Sequence, residues 1–115
     1  MPTTARTPSR GDVVWISFSP QRGHEERGHR PAVVLSKRSY NERSGLALVC
    51  PVTSRVKGYP FEVPVKTKTI TGVALADQVR SIDWRVRKAK CVETLDSKTL
   101  RDIARIASAL LTAEE

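Results

Sequence analysis

Short apolar runs alternate with longer polar connections along this chain. In residues 12–18, DVVWISF, Val14, Ile16 and Phe18 fall on one side and Val13, Trp15 and Ser17 on the other, which predicts a strand. The charged, glycine-containing stretch QRGHEERGHR follows at 21–30. It is too polar for a core element and long for a strand connection, and long ordered loops often carry function. AVVLS at 32–36 predicts a second strand, with Pro31 at its entry, where a missing N–H is tolerated. KRSYNERSG predicts a helical turn ending at Gly45. LALVCPV is a continuous apolar strand, expected to be buried on both faces. TSRVKGYP is a second polar loop, closed by Gly58 and Pro60. FEVPV predicts a strand in which Pro64 implies an edge or a bulge. TKTIT reads as a turn or edge region, and GVALADQV as a further strand running into RSIDWRVRK.

The period then changes. In DSKTLRDIARIASALL, Leu100, Ile103, Ala107 and Leu110 recur at helical spacing, and Ile106 and Leu111 widen the stripe. Asp96 or Ser97 can cap it, so a helix is predicted over about residues 97–111. Many short strands plus one terminal helix define a mostly-β, α+β domain: a small, twisted, mostly antiparallel sheet or partial barrel. The 115 residues suit one such domain, spanning 10–115, after a Thr-, Pro- and Arg-rich tail, residues 1–9, expected to be disordered.

Composition narrows the class. No apolar run approaches a membrane span and MPTTARTPSR is not a signal peptide, so a cytoplasmic protein with no membrane contact is expected. Cys50 and Cys91 are the only cysteines and lack C-x-x-C spacing, so no metal and no cofactor are expected. Cys50 reads as a buried small hydrophobe. The net charge of +8 and pI of about 10.1 favour a polyanion, nucleic acid first.

Three polar segments follow apolar strands. The first holds His24, Glu25, His29 and Arg30. The second holds Thr53, Ser54, Arg55 and Lys57, and the third Asp77, Gln78 and Arg80. In a small barrel these ends can converge on one rim. Arginines for phosphate, a hydroxyl, a carboxylate and an imidazole would suit metal-free cleavage of RNA, which supplies its own 2′-OH nucleophile. Each residue also has a plainer reading. The histidines can be solvated, Glu25 can balance local arginines, Thr53 can bond its own turn, Asp77 can cap one, and Trp15 and Trp84 can be core rather than base-stacking groups.

Taken together, RGDVVWISFSP, GHRPAVVLS, PVTS, KGYPFEV, GVALADQV and SIDWR resemble the MazF/PemK family of toxin ribonucleases, from about Arg10 to Lys88. The resemblance implies an SH3-like barrel of the CcdB/PemK type with a C-terminal helix, working as a homodimer. It implies a sequence-specific, metal-independent endoribonuclease that cuts single-stranded mRNA and halts translation. It also implies a cognate MazE-like antitoxin with an acidic, disordered tail. Residue by residue, Arg30 matches the arginine of the family's G-x-R-P motif, Thr53 the threonine of P-x-T-[ST], and Glu25 the glutamate of G-x-E. His24 matches the histidine of PemK-like members and Asp77 the aspartate of their D-Q motif. The catalytic arginine that those members carry two residues earlier is Leu75 here, which favours Arg30 and Thr53 as the central pair. His29 matches MazF-like members, where it is structural or touches substrate. Arg22, Arg27, His29, Ser54, Arg55, Lys57, Gln78 and Arg80 are the candidate RNA contacts. Two other readings remain: a gyrase poison of the CcdB type, which relies on a Trp-Gly-Ile ending where this chain has LLTAEE, and a non-catalytic RNA-binding module.

Overall fold

A computed structural model of the chain describes residues 6–17 and 29–112. Among the described residues seven strands and two helices follow in order: β1 (Asp12–Ser17), β2 (His29–Val34), α1 (Arg38–Ser44), β3 (Leu46–Thr53), β4 (Glu62–Lys66), β5 (Thr71–Leu75), β6 (Arg80–Asp83), β7 (Lys90–Thr94) and α2 (Ser97–Thr112). All pairings are antiparallel, and the main path runs β4-β5-β3-β2-β1-β7. The sheet curls into a half-barrel, as the mostly-β expectation required.

Strand β3 causes the curl. One edge pairs with β2. The other pairs first with β6, from Leu46↔Asp83 to Val49↔Arg80, and then with β5 at Val52↔Ala74 and Thr53↔Val73. One strand thus passes between two sheets, and side chains of opposite parity fill two cores. Val33, Cys50, Val52, Val63, Val65 and Ala74 lie on the side of α2, which inserts Ile103. Val14, Ile16, Ala32, Val34, Ala47 and Val49 lie on the other side, closed by Ile82 and Trp84.

Several expectations shift in detail. Strand β2 starts at His29, not at Ala32, because β1 pairs with it out to Ser17↔His29. Pro31 lies inside the ladder opposite Trp15, where β3 has not yet joined β2, so its missing N–H is tolerated. Strand β3 is not buried throughout: Leu48 is exposed, since the core beneath α2 reaches Cys50 and Val52 but stops short of it. The stretch after GVALADQV resolves into β6, a tight turn and β7. Residues 6–9, expected in a disordered tail, are instead packed on the domain. Pro8 is buried, Asn41 Nδ2 donates to its carbonyl at 2.8 Å, and the Ser9 N–H donates to Asp12 Oδ2 at 2.8 Å. Residues 1–5 of that tail, and Phe18, lie outside the described residues.

Helix α2 begins where expected. Asp96 caps it by accepting from the Thr99 N–H at 3.0 Å and the Thr99 hydroxyl at 2.8 Å. Its stripe is buried only at Ile103 and Ala107, while Leu110 and Leu111 are exposed. The half-barrel is closed by side chains. Glu93 on β7 accepts from Thr67 Oγ1 at 2.6 Å, from the Lys68 N–H at 3.2 Å and from the Thr69 hydroxyl. That clasp ties the β4–β5 turn to the strand at the opposite end of the sheet path.

Candidate active site

The register that sets Ala32 against Pro51, continued two residues outward, brings Arg30 of β2 towards Thr53 at the end of β3. Both residues line one cleft of about 760 Å³. His29, Pro31 and Trp15 line it from β1 and β2, and Ser54 and Arg55 from the end of β3. Thr69, Ile70 and Thr71, from the turn that Glu93 clasps, form the facing wall. Among the described residues no carboxylate forms an ion pair with the Arg30 guanidinium.

Thr53 is held from two sides. Its Oγ1 accepts the Arg55 N–H at 3.1 Å, the local turn bond that its plainer reading anticipated, which leaves the hydroxyl proton free to donate. On the backbone side a Cβ at Gly72 would lie 2.3 Å from the Thr53 carbonyl oxygen, so only glycine fits there.

A second recess of about 420 Å³ continues from the first and shares Arg30, Val52, Thr53 and Arg55 with it. Lys57, Gln78 and Arg80 line it, together with Tyr59 and Phe61, whose rings stack at 5.1 Å and 17°. The Glu62 carboxylate organises its rim by accepting the Gly58 N–H at 3.0 Å and the Lys57 N–H at 3.2 Å.

The structure therefore gathers Arg30, Thr53, His29, Ser54, Arg55, Lys57, Gln78 and Arg80 along one continuous groove. Asp77 is exposed on the β5–β6 turn beside the groove and does not line either recess. It acts on Cys50 below: burial, and then the Asp77 charge, push that thiol up to about 12. His24, Glu25, Arg22 and Arg27 lie outside the described residues. Trp84 is core, with its Nε1 donating to the Asn41 carbonyl at 2.9 Å, whereas Trp15 is half-buried and forms part of the cleft. Sequence reasoning missed Thr69 and Thr71, because TKTIT reads only as a turn or edge region until the Glu93 clasp places it, and Gly72, whose role lies in its contact with the Thr53 carbonyl. It also missed the Tyr59–Phe61 pair. Among the described residues no group of three or more His, Cys, Asp or Glu side chains is placed to hold a metal ion.

Residues 9–111 match the family described as PemK-like, MazF-like toxin of type II toxin–antitoxin systems, and the chain belongs to that family. It is 54% identical over 82 residues to the endoribonuclease toxin MazF of Escherichia coli K12, covering 71% of this chain and 74% of that one. It is 31% identical over 108 residues to an E. coli endoribonuclease PemK, covering 90% and 81%. A MazE–MazF crystal structure from Deinococcus radiodurans superposes with a TM-score of 0.83 at 40% identity, covering 95% of this chain and 99% of that one. MazF alone from the same organism gives 0.82 at 46% identity, covering 92% and 97%.

Proposed function

We propose that this protein is the toxin of a type II toxin–antitoxin pair, an endoribonuclease that cuts single-stranded mRNA and so inhibits translation. The observation that carries this reading is the meeting of Arg30 and Thr53 in a cleft that continues into a cationic groove. The scissile phosphate sits between them. Arg30 offers fixed charge and planar donors to the non-bridging oxygens, and the Thr53 hydroxyl donates a further hydrogen bond.

The chemistry is transesterification. The ribose 2′-OH attacks its own phosphorus, the bond to the 5′ oxygen breaks, and the products are a 2′,3′-cyclic phosphate and a 5′-hydroxyl. Glu25 removes the 2′ proton or positions the group that does. Arg30, or His24, which matches the histidine of PemK-like members, returns a proton to the leaving oxygen, and His29 contacts the substrate from the wall of the cleft. No metal enters these steps, and DNA, without the 2′-OH, is not cut. A MazE-like antitoxin with an acidic tail competes for the cationic groove. The working unit is a cytoplasmic homodimer.

A long single-stranded RNA incubated with the protein in EDTA tests this reading. Cuts at one short motif, leaving 5′-hydroxyl ends, are expected. An absence of cleavage by folded protein would overturn the ribonuclease assignment. Gyrase-dependent DNA breaks instead would point to the poison.

A further inference from the structure

Tyr59 is half exposed, at 50%, and its ring lies nearly parallel to that of Phe61. An aromatic ring left in water at the wall of a recess is an unused stacking surface. The backbone around it is fixed. Gly58 takes φ +84°, Pro60 separates the two aromatic residues along the chain and fixes its own φ, and the Glu62 N–H closes the turn by donating to the Tyr59 carbonyl at 3.1 Å. The Ala76 N–H donates to the Phe61 carbonyl at 3.2 Å, tying the turn to the strand beside it. The rings are thus pre-organised, and little ordering is needed for a third ring to join them.

We propose that Tyr59, backed by Phe61, is a nucleobase-stacking platform for the nucleotide adjacent to the scissile phosphate. The proposal rests on the reading of the cleft as a ribonuclease site. Two features favour a nucleotide over a peptide side chain. The recess shares Arg30 and Thr53 with the cleft, so a strand whose phosphate lies between them must place a neighbouring nucleotide in or beside it. Lys57 and Arg80 line the same recess and supply the charge that a flanking phosphate needs. Stacking of this kind tolerates any base, so it adds affinity rather than sequence choice.

The test walks 2-aminopurine through a short single-stranded deoxy-oligonucleotide, which binds without being cut. Quenching is expected at one position in the wild type. Tyr59→Leu abolishes that quenching and weakens binding by roughly five- to 150-fold, the range for one stacked base. Tyr59→Phe and Tyr59→Trp keep both. An abasic residue at the quenched position weakens wild-type binding by the same factor and leaves the Leu variant unaffected. Equal binding by wild type and the Leu variant, or no position-dependent quenching, would overturn the platform. So would a Leu variant that loses only an acidic peptide and keeps the oligonucleotide. Quenching without any RNA cleavage would support the platform while removing the ribonuclease reading.

Discussion

Gly72 on β5 lies directly against the carbonyl of Thr53 on β3, so close that a Cβ there would stand 2.3 Å from the oxygen. The missing side chain sets where the end of β3 lies, and hence where the Thr53 hydroxyl points. Gly72→Ala must push the strand end away. Overpacking of this kind destabilises by about 1–3 kcal/mol, and a displacement near an ångström costs about 10²-fold in rate. The expected result is a folded protein with slow single-turnover RNA cleavage and nearly normal RNA affinity. Wild-type cleavage by Gly72→Ala would remove Thr53 from the site.

Arg30→Ala and Thr53→Ala should each lower the cleavage rate by at least about two orders of magnitude, the scale of one lost transition-state donor. Thr53→Ser keeps the hydroxyl and should stay close to wild type. Arg30→Lys should not rescue, because an ammonium lacks the planar pair of donors. The rates of these four variants on one RNA decide the matter.

His24→Ala tests the PemK-like histidine. Loss of about two or more orders of magnitude in single-turnover cleavage would make it the proton donor, whereas a small loss with weaker RNA binding would leave it as a substrate contact.

Hydrogen bonds from Thr67 and Thr69 hold the Glu93 carboxyl below the ordinary glutamate value of 4.5. A lowered folded-state value means that the carboxylate stabilises the fold above about pH 4.5, and that this contribution fades as pH falls through the lower value. Glu93→Gln should therefore melt below wild type at neutral pH, and the gap should close in acid. Thermal melts across that range measure it. A gap that persists unchanged at pH 3 would show that the clasp does not depend on charge.

Cys50 and Cys91 shift the other way. Burial pushes them up to about 12 and about 11 from an ordinary 9.0. The folded thiols stay protonated where the unfolded ones ionise, so stability should fall as pH rises above 9. Alkylation at pH 8 should be slow in the native protein and fast in denaturant. Rapid native labelling of Cys50 would contradict its burial.

Periodicity carried much of the architecture. Helix α2, the loop at 54–61 and the edge position of β4 follow from spacing and from Pro64. The double pairing of β3 does not, because nothing in LALVCPVT marks the point where one partner strand gives way to another. The exposure of Leu110 and Leu111 also escapes the pattern, since a helical stripe does not say where the surface it packs on ends. Arg30 and Thr53 were legible as a pair through the resemblance of GHRP and PVTS to the family's motifs, and each stands near the end of an apolar strand. Gly72 was not, because its role lies in a contact between strands. Asn41 is the clearest omission. This polar residue in an outwardly polar helix is fully buried and binds the Pro8 and Ser36 carbonyls, the Ser36 hydroxyl and, through its own carbonyl, Trp84.

Among the described residues β4 ends the sheet path with no strand paired to its outer edge, and Pro64 at its centre removes one donor from its backbone. Lys66 adds a charge at its end. A neighbouring copy that tried to extend the sheet there would meet a broken ladder and an ammonium group. An edge of this kind disfavours open-ended stacking of sheets into fibrils.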